Sequence, residues 1–249
     1  MPFAINRGIQ IYYEVEGDGP PLVLHHGFTS SLEIWKLLGY TDQLKKYFKL
    51  IMLDSRGHGK SGKPLNVDAY SMSNRVRDIV TILDDLKIEK THYFGYSMGG
   101  WIGFGMARHA IERVKSFVIG AAHPYPDHSW EHFRNITGED QEGFIVALEA
   151  VLEEQISSEV RPLILDNNLE ALVAAAQNRP SLESVLPQIK NPCMLFVGEG
   201  DSRCNAVRDC ATQLDDVKFV SFPQLTHVDC FLRSDLVSPL VINFLLTPP

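Results

Sequence analysis

Residues 95–101 read GYSMGGW and place one serine, Ser97, between Gly95 and Gly99. The apolar residues before this stretch predict a strand, and those after it predict a helix. A chain that turns sharply from a strand into a helix leaves no room for side chains beside the apex, so glycines are expected on both sides. Such a turn exposes the serine hydroxyl at a helix N-terminus, where free N–H groups favour a developing negative charge. A purely structural glycine-rich turn, in which the serine only caps the helix, would have the same sequence. The interpretation therefore depends on the surrounding chain.

The surrounding chain alternates between strand and helix patterns over residues 21–120, after an alternating stretch at 8–16 that predicts an antiparallel edge strand. The first helical pattern of this region covers residues 30–46 and predicts one helix. This order predicts a doubly wound, mostly parallel sheet. Residues 123–186 interrupt it with helical patterns only, and the alternation resumes at residue 193. We therefore expect a core formed by residues 1–122 and 187–249, with residues 123–186 as a helical insertion lying over the sheet.

The composition is that of a globular protein, because 45% of the 249 residues are hydrophobic and 22% are charged. A net charge of −8 without a lysine or arginine cluster argues against a nucleic-acid partner. No apolar run is long enough for a signal sequence or a membrane span, so we expect a soluble, cytoplasmic protein. The four cysteines form no C-x-x-C pair, and free, mostly buried thiols are expected.

A serine hydroxyl is a weak nucleophile that needs a base, and the base needs an orienting carboxylate. His227 follows the last predicted strand and precedes the last predicted helix, at the edge of the sheet where ligand sites of such folds gather. Asp201 follows another strand at the same edge, and Glu199 is its rival. The order Ser97, Asp201, His227 is the Ser…Asp…His order typical of one fold. We predict these three residues to be catalytic.

Other motifs are incomplete. Residues 59–61 read Gly-Lys-Ser, but a phosphate-binding loop requires a glycine where the chain has Asp54. The pairs Gly103/Gly105 and Gly198/Gly200 lack the third glycine of a dinucleotide-binding fingerprint, and no histidine pair has metal-ligand spacing on one helix. We predict no cofactor and no metal.

With these residues in place, the chain resembles the α/β-hydrolase superfamily over nearly its whole length. His26-Gly27-Phe28 is similar to the family's oxyanion loop, and the resemblance implies the backbone N–H groups of Phe28 and Met98 as oxyanion donors. Residues 54–61 resemble the family's D-x-R-G-x-G-x-S loop, whose role there is structural. The resemblance implies an α/β-hydrolase fold, with a mostly parallel twisted sheet, helices on both faces and a short helical cap at residues 123–186.

The resemblance also narrows the chemistry, because relatives with aspartate at the Ser97 position open epoxides or displace halide. A serine implies an acyl-enzyme and hydrolysis of a small-molecule ester, with lactone, thioester and amide as related substrates. A small or medium, largely apolar acyl group is expected, in a pocket that includes Trp101, Trp130, Phe133, Phe144 and Val228. Enol-lactone hydrolysis, carbon–carbon bond hydrolysis in aromatic degradation, and a ligand receptor that retains the three residues without turnover stay open as alternatives. The sequence does not indicate the oligomeric state.

Overall fold

The computed structural model describes residues 2–247 and contains one eight-stranded sheet in the order β1-β2-β4-β3-β5-β6-β7-β8. β1 and β2 pair antiparallel, β2 pairs antiparallel with β4, and the remaining neighbours are parallel. The predicted doubly wound, mostly parallel sheet is therefore confirmed. Its strands are β1 (Phe3–Asn6), β2 (Ile9–Glu16), β3 (Pro21–His25), β4 (Lys49–Leu53), β5 (Thr91–Tyr96), β6 (Val114–Gly120), β7 (Cys193–Gly198) and β8 (Val217–Phe222).

The central strands are buried on both faces, which explains why they read as apolar runs without alternation. Because parallel strands end at the same edge, the loops after β5, β7 and β8 meet there. Ser97 directly follows β5, Asp201 lies three residues beyond the end of β7, and His227 lies five residues beyond the end of β8. The sheet thus brings the loops that carry these residues to one edge.

Ten α-helices complete the described chain, together with four short 3-10 helices. The α-helices are α1 (Glu33–Leu37), α2 (Tyr40–Leu44), α3 (Met72–Asp85), α4 (Met98–His109), α5 (Gln141–Leu152), α6 (Arg161–Leu165), α7 (Leu169–Gln177), α8 (Cys204–Thr212), α9 (His227–Leu232) and α10 (Ser234–Leu246). The four cysteines are free and buried, as predicted.

Two local predictions were wrong. The helix expected over residues 30–46 is split into α1 and α2, because Gly39 between them has a φ of 78° and ends the first helix. The strand at 8–16 is not the edge of the sheet, since β1 pairs with its outer side.

Residues 123–186 contain α5, α6, α7 and 3-10 turns, and none of them belongs to a strand. They enclose an apolar cluster of their own, which Phe28 of the sheet side also contacts. The members of this cluster include Trp130, Phe133, Phe144, Leu148, Leu172 and Val173. This separate cluster supports the proposed division into a core and a helical insertion, which remains a proposal.

The N-terminus of α4 packs directly against the backbone of neighbouring strands. A Cβ atom on Gly99 would lie 2.1 Å from the carbonyl oxygen of His25 in β3. A Cβ atom on Gly95 would lie 2.3 Å from the carbonyl oxygen of Gly99. Gly99 is therefore required by its contact with the backbone of β3, and Gly95 by its contact with backbone within the turn.

We predict that Gly99→Ala lowers the free energy of unfolding by about 1–3 kcal/mol or more, because the added methyl group collides with backbone that cannot rotate away. The measurement is urea denaturation followed by circular dichroism. Gly27→Ala is the matched control, since its Cβ atom would meet Ser97 Cβ at 3.5 Å, an ordinary van der Waals distance. Equal stability of the two variants would contradict the packing argument.

Candidate functional site

Ser97 occupies the apex of the turn between β5 and α4 with a φ of 53° and a ψ of −114°. An L-residue with positive φ is strained, and the surrounding structure must hold it there. The Ser97 N–H donates to the Gly120 carbonyl at 2.8 Å, and the Ser97 carbonyl accepts from the Trp101 N–H at 2.9 Å. These two bonds fix the backbone and leave the hydroxyl at the N-terminal end of α4.

His227 is the first residue of α9 and is buried. The side chain of Thr226 caps this helix by accepting from the Asp229 N–H at 3.2 Å. His227 Nε2 lies 3.0 Å from Ser97 Oγ, and its Nδ1 lies 2.6 Å from Asp201 Oδ2. The structure therefore brings the three predicted residues into one chain of hydrogen bonds.

The backbone of His227 is held from two sides. The Tyr96 hydroxyl donates to the His227 carbonyl at 2.7 Å, and the His227 N–H donates to Glu154 Oε1 at 2.8 Å. The Tyr96 ring also stacks on Phe231 of α9, with centroids 4.3 Å apart. These contacts connect α9 to the end of β5 and to the helical insertion.

Asp201 is buried and uses both carboxylate oxygens. Oδ2 contacts His227, while Oδ1 accepts from the Arg203 N–H at 3.0 Å and from its Nη1 at 3.3 Å. Burial acts to raise the pKa of Asp201, but the hydrogen bond to His227 and the nearby charges of His227 and Arg203 outweigh it, so the pKa is lowered. The rival Glu199 is exposed and accepts a hydrogen bond from Ser221 at 2.8 Å instead.

The loop predicted to supply oxyanion donors lies beside Ser97, because a Cβ atom on Gly27 would stand 3.5 Å from Ser97 Cβ. His26 holds this loop: its Nδ1–H donates to the Gly27 carbonyl at 2.7 Å, and its Nε2 accepts from the Ser55 N–H at 3.0 Å. Within residues 2–247, neither the Phe28 nor the Met98 N–H donates to a protein acceptor. Neither amide is therefore committed to a hydrogen bond within the described protein.

A small cavity of about 20 Å³ lies beside Ser97. Two of the predicted pocket residues, Trp101 and Trp130, line it. Phe133 and Phe144 instead pack around Phe28, with ring centroids 5.7 and 6.3 Å from it, and Val228 is 42% exposed. The structure therefore places two of the five predicted pocket residues at the cavity.

The cavity also contains polar residues that the sequence analysis did not identify, namely His123, Asp127, Arg179 and Arg203. All are distant in sequence from the serine turn, and no motif marks them. His123 Nδ1 is buried and has no hydrogen-bond partner within residues 2–247. Burial is also the main reason why the pKa of His123 is lowered.

The part of the chain that the structure describes contains no cluster of three or more histidine, cysteine or acidic side chains arranged for a metal ion. Over the same residues, no helix has the length and apolar character needed to cross a membrane.

Comparison with known proteins supports the same architecture. A family model described as "alpha/beta hydrolase fold" matches residues 20–146, slightly more than half of the chain. A Bacillus subtilis (strain 168) protein named "Putative 2-succinyl-6-hydroxy-2,4-cyclohexadiene-1-carboxylate synthase" is 28% identical over 263 aligned residues, covering 94% of this chain and 95% of the relative.

Two solved structures resemble the whole chain. The enol-lactonase from Burkholderia xenovorans LB400 superposes with a TM-score of 0.84 at 21% identity, covering 99% of this chain and 100% of that one. A thermophilic esterase from Thermogutta terrifontis superposes with a TM-score of 0.85 at 24% identity, covering 98% of this chain and 97% of that one. The family match spans the central strands, the serine turn and α4. The chain belongs to the alpha/beta hydrolase fold family.

Proposed function

We propose that the protein is a serine hydrolase that cleaves a carboxylic ester through an acyl-enzyme. The observation that carries the proposal is the continuous chain of hydrogen bonds from Ser97 Oγ through His227 to Asp201, at a strained turn with free amides beside it. Nucleophile, base and orienting acid within hydrogen-bond distance are the arrangement that acyl transfer requires. Family membership supports hydrolase activity in general.

In the proposed mechanism, Asp201 accepts a hydrogen bond from the Nδ1–H of His227, which keeps the proton on Nδ1 and leaves Nε2 free to accept the proton of Ser97 Oγ. The serine oxygen attacks the ester carbonyl, and the charge on the carbonyl oxygen develops near the amides of Phe28 and Met98. The imidazolium then returns its proton to the departing alkoxide. A water molecule repeats the sequence on the acyl-enzyme, and the carboxylic acid leaves.

The helical insertion, residues 123–186, acts in this proposal as a cap over the site. A cavity of about 20 Å³ has room for about one water molecule, so an acyl group can enter only if the cap or its side chains move. The indole rings of Trp101 and Trp130 supply apolar surface for a small or medium acyl group. Exclusion of water by a cap closed over bound substrate would also strengthen the proposed electrostatic stabilisation.

A lactone is a second candidate substrate, because Ser97 would attack its carbonyl carbon in the same way. Its leaving alcohol stays attached to the acyl group. Turnover of a panel of aryl esters, alkyl esters and lactones by the purified protein separates these substrates. Mass spectrometry of trapped protein identifies the acylated residue. Tight binding of the panel without turnover would instead favour the receptor alternative.

We predict that Ser97→Ala reduces kcat/KM on a 4-nitrophenyl ester by a factor of more than about 10³, because residues that act as a unit lose nearly all function together. The variant should keep its fold, as judged by circular dichroism and thermal unfolding. Ser202→Ala, which removes an exposed hydroxyl near the site, is the control and should leave the rate unchanged. A Ser97→Ala protein with more than about a thousandth of the wild-type rate would falsify the nucleophile assignment.

We predict that Asp201→Asn lowers kcat by about 10⁴, as the corresponding substitution does in a serine protease, since the amide favours the wrong imidazole tautomer. Glu199→Gln is the matched control, because Glu199 contacts Ser221 and not His227. Steady-state kinetics of both variants decide the point. A larger loss in Glu199→Gln than in Asp201→Asn would transfer the role to the rival carboxylate.

We predict that kcat/KM falls along a single ionisation as the pH is lowered, because protonation of His227 removes the acceptor for the Ser97 proton. Asp201 contributes no second step near neutral pH, since its pKa is lowered and the carboxylate stays charged over that range. The measurement is a pH–rate profile between about pH 4 and 9. Two interacting ionisations on the acid side would contradict this assignment.

His92→Ala and His123→Ala are the controls for this profile. Burial lowers the pKa of His92 to about 4 and also lowers the pKa of His123, so neither imidazole gains a proton near neutral pH. Both variants should keep the acid limb of the profile, which is the fall of kcat/KM at low pH. His227→Ala should lose nearly all activity. Disappearance of the acid limb in either control would assign the role of general base to that histidine instead of His227.

A further inference from the structure

Arg179 follows α7 and lines the cavity beside Ser97, between the helical insertion and the sheet edge. Its guanidinium carbon lies 3.7 Å from the ring centroid of Trp130 and 4.2 Å from that of Trp101. No hydrogen bond from this side chain and no ion pair within 4.0 Å joins it to another residue in the range 2–247. A half-buried cation thus lines the same cavity as the proposed catalytic serine, without a hydrogen-bond or ion-pair partner among the described residues.

The other charged groups near this cavity are already paired. Arg203 donates to Asp201 Oδ1 and to the Val151 carbonyl. The carboxylate of Asp127 accepts from the Ser129 N–H and hydroxyl and from the Trp130 indole N–H. Asp127 forms no ion pair with Arg179 within 4.0 Å among the described residues, although its charge acts to raise the pKa of Arg179.

A second arginine, which is buried, adds to the positive potential. Arg75 donates to the carbonyls of Tyr70 and Ala175 at 2.8 and 2.7 Å, and its guanidinium carbon lies 5.7 Å from the Trp101 ring. No carboxylate forms an ion pair with it among the described residues. Burial, followed by repulsion from Arg75, holds the pKa of Arg179 well below its usual range. An anion bound beside Arg179 would offset both its burial and its repulsion from Arg75, and would raise its pKa.

Contact with two indole rings is favourable for a guanidinium, but it leaves the N–H donors unused, because they point outward in the plane of the group. None of these nitrogens is fully buried, so each can bind water or the oxygen of a ligand anion. A carboxylate matches the planar pair of donors with two parallel hydrogen bonds. Aromatic contacts that hold the guanidinium in one orientation favour this kind of binding.

We propose that Arg179 binds a carboxylate of the substrate, so that the natural ester is a half-ester of a small, otherwise apolar dicarboxylic acid or a closely related lactone acid. This inference rests on the proposed hydrolase function for the ester end of the molecule. It adds one anionic group to the largely apolar acyl substrate that the sequence predicts. Arg179 is a substrate-binding residue in this view and takes no part in proton transfer.

The kinetic test uses two esters that differ only in the distal group, 4-nitrophenyl hydrogen glutarate and 4-nitrophenyl glutaramate. The wild-type protein should prefer the carboxylate ester by about 10- to 100-fold in kcat/KM, which corresponds to a charged hydrogen-bond pair. Arg179→Gln should abolish this preference. The ratio of the two rates within one protein sample is independent of how much of the sample is folded.

Arg134→Gln is the matched control, because Arg134 lies in the same helical insertion, is 66% exposed at its side chain and pairs with Glu131. It should keep the wild-type preference. Turnover of both esters at equal kcat/KM by the wild-type protein would overturn the carboxylate site and leave the proposed hydrolase function standing. An unchanged preference in Arg179→Gln would also overturn it.

A binding test separates the two proposals. Methyl hydrogen glutarate and methyl glutaramate are titrated by calorimetry into Ser97→Ala and into the double variant Ser97→Ala/Arg179→Gln. The carboxylate compound should bind Ser97→Ala at least about tenfold more tightly than the amide, and the double variant should lose that difference. Selective binding without any wild-type ester turnover would support the carboxylate site and refute the hydrolase function. Equal affinities for both compounds in Ser97→Ala would refute the carboxylate site.

Discussion

The contact between the start of α4 and the backbone of β3 is the constraint on which the site depends. Gly99 can lie against the His25 carbonyl only because it has no side chain, and this close approach forces the chain to reverse at Ser97. The reversal gives Ser97 its positive φ, and the bond from its N–H to the Gly120 carbonyl holds that conformation. The free amides at the start of α4 are a consequence of the same geometry. Strain in the backbone, the exposed hydroxyl and the amides therefore have one cause.

A second constraint is distance, because β6 and β7 separate β5 from β8 in the sheet. His227 must reach back over these strands to approach Ser97. Tyr96 spans the gap, with its ring stacked on Phe231 and its hydroxyl bonded to the His227 carbonyl. Gly120 makes this possible, since a Cβ atom there would lie 2.4 Å from the Phe196 ring and 2.5 Å from the Tyr96 ring. A glycine in β6 thus permits the packing that positions α9.

The sequence was sufficient to predict the sheet and the meeting of Ser97, Asp201 and His227 at one edge of it, because both depend on local patterns. Apolar runs mark buried strands, and parallel strand ends lie at one edge whatever the loops contain. The break at Gly39 depends on a local φ that a helical pattern does not reveal. Arg179 could not be predicted, since its position depends on packing between α7 and two tryptophans from different segments. Phe133 and Phe144 were predicted in the pocket because a pattern cannot separate an aromatic residue that lines a cavity from one packed behind it.

The helical insertion contacts the proposed catalytic loops at two points near the end of α5. Arg203 joins Asp201 to the Val151 carbonyl, and Glu154 accepts from the His227 N–H. A movement of this end of α5 that admits substrate would therefore change the surroundings of both Asp201 and His227. The two arginines of the cavity differ in their bonds: Arg203 forms hydrogen bonds to the core and to the insertion, whereas Arg179 has no hydrogen-bond or ion-pair partner among the described residues. Closure of the insertion over a substrate with a carboxylate would bring that charge to Arg179 while Arg203 and Glu154 restore the geometry around His227. Binding at one end of the substrate and proton transfer at the other would then depend on the same closed state.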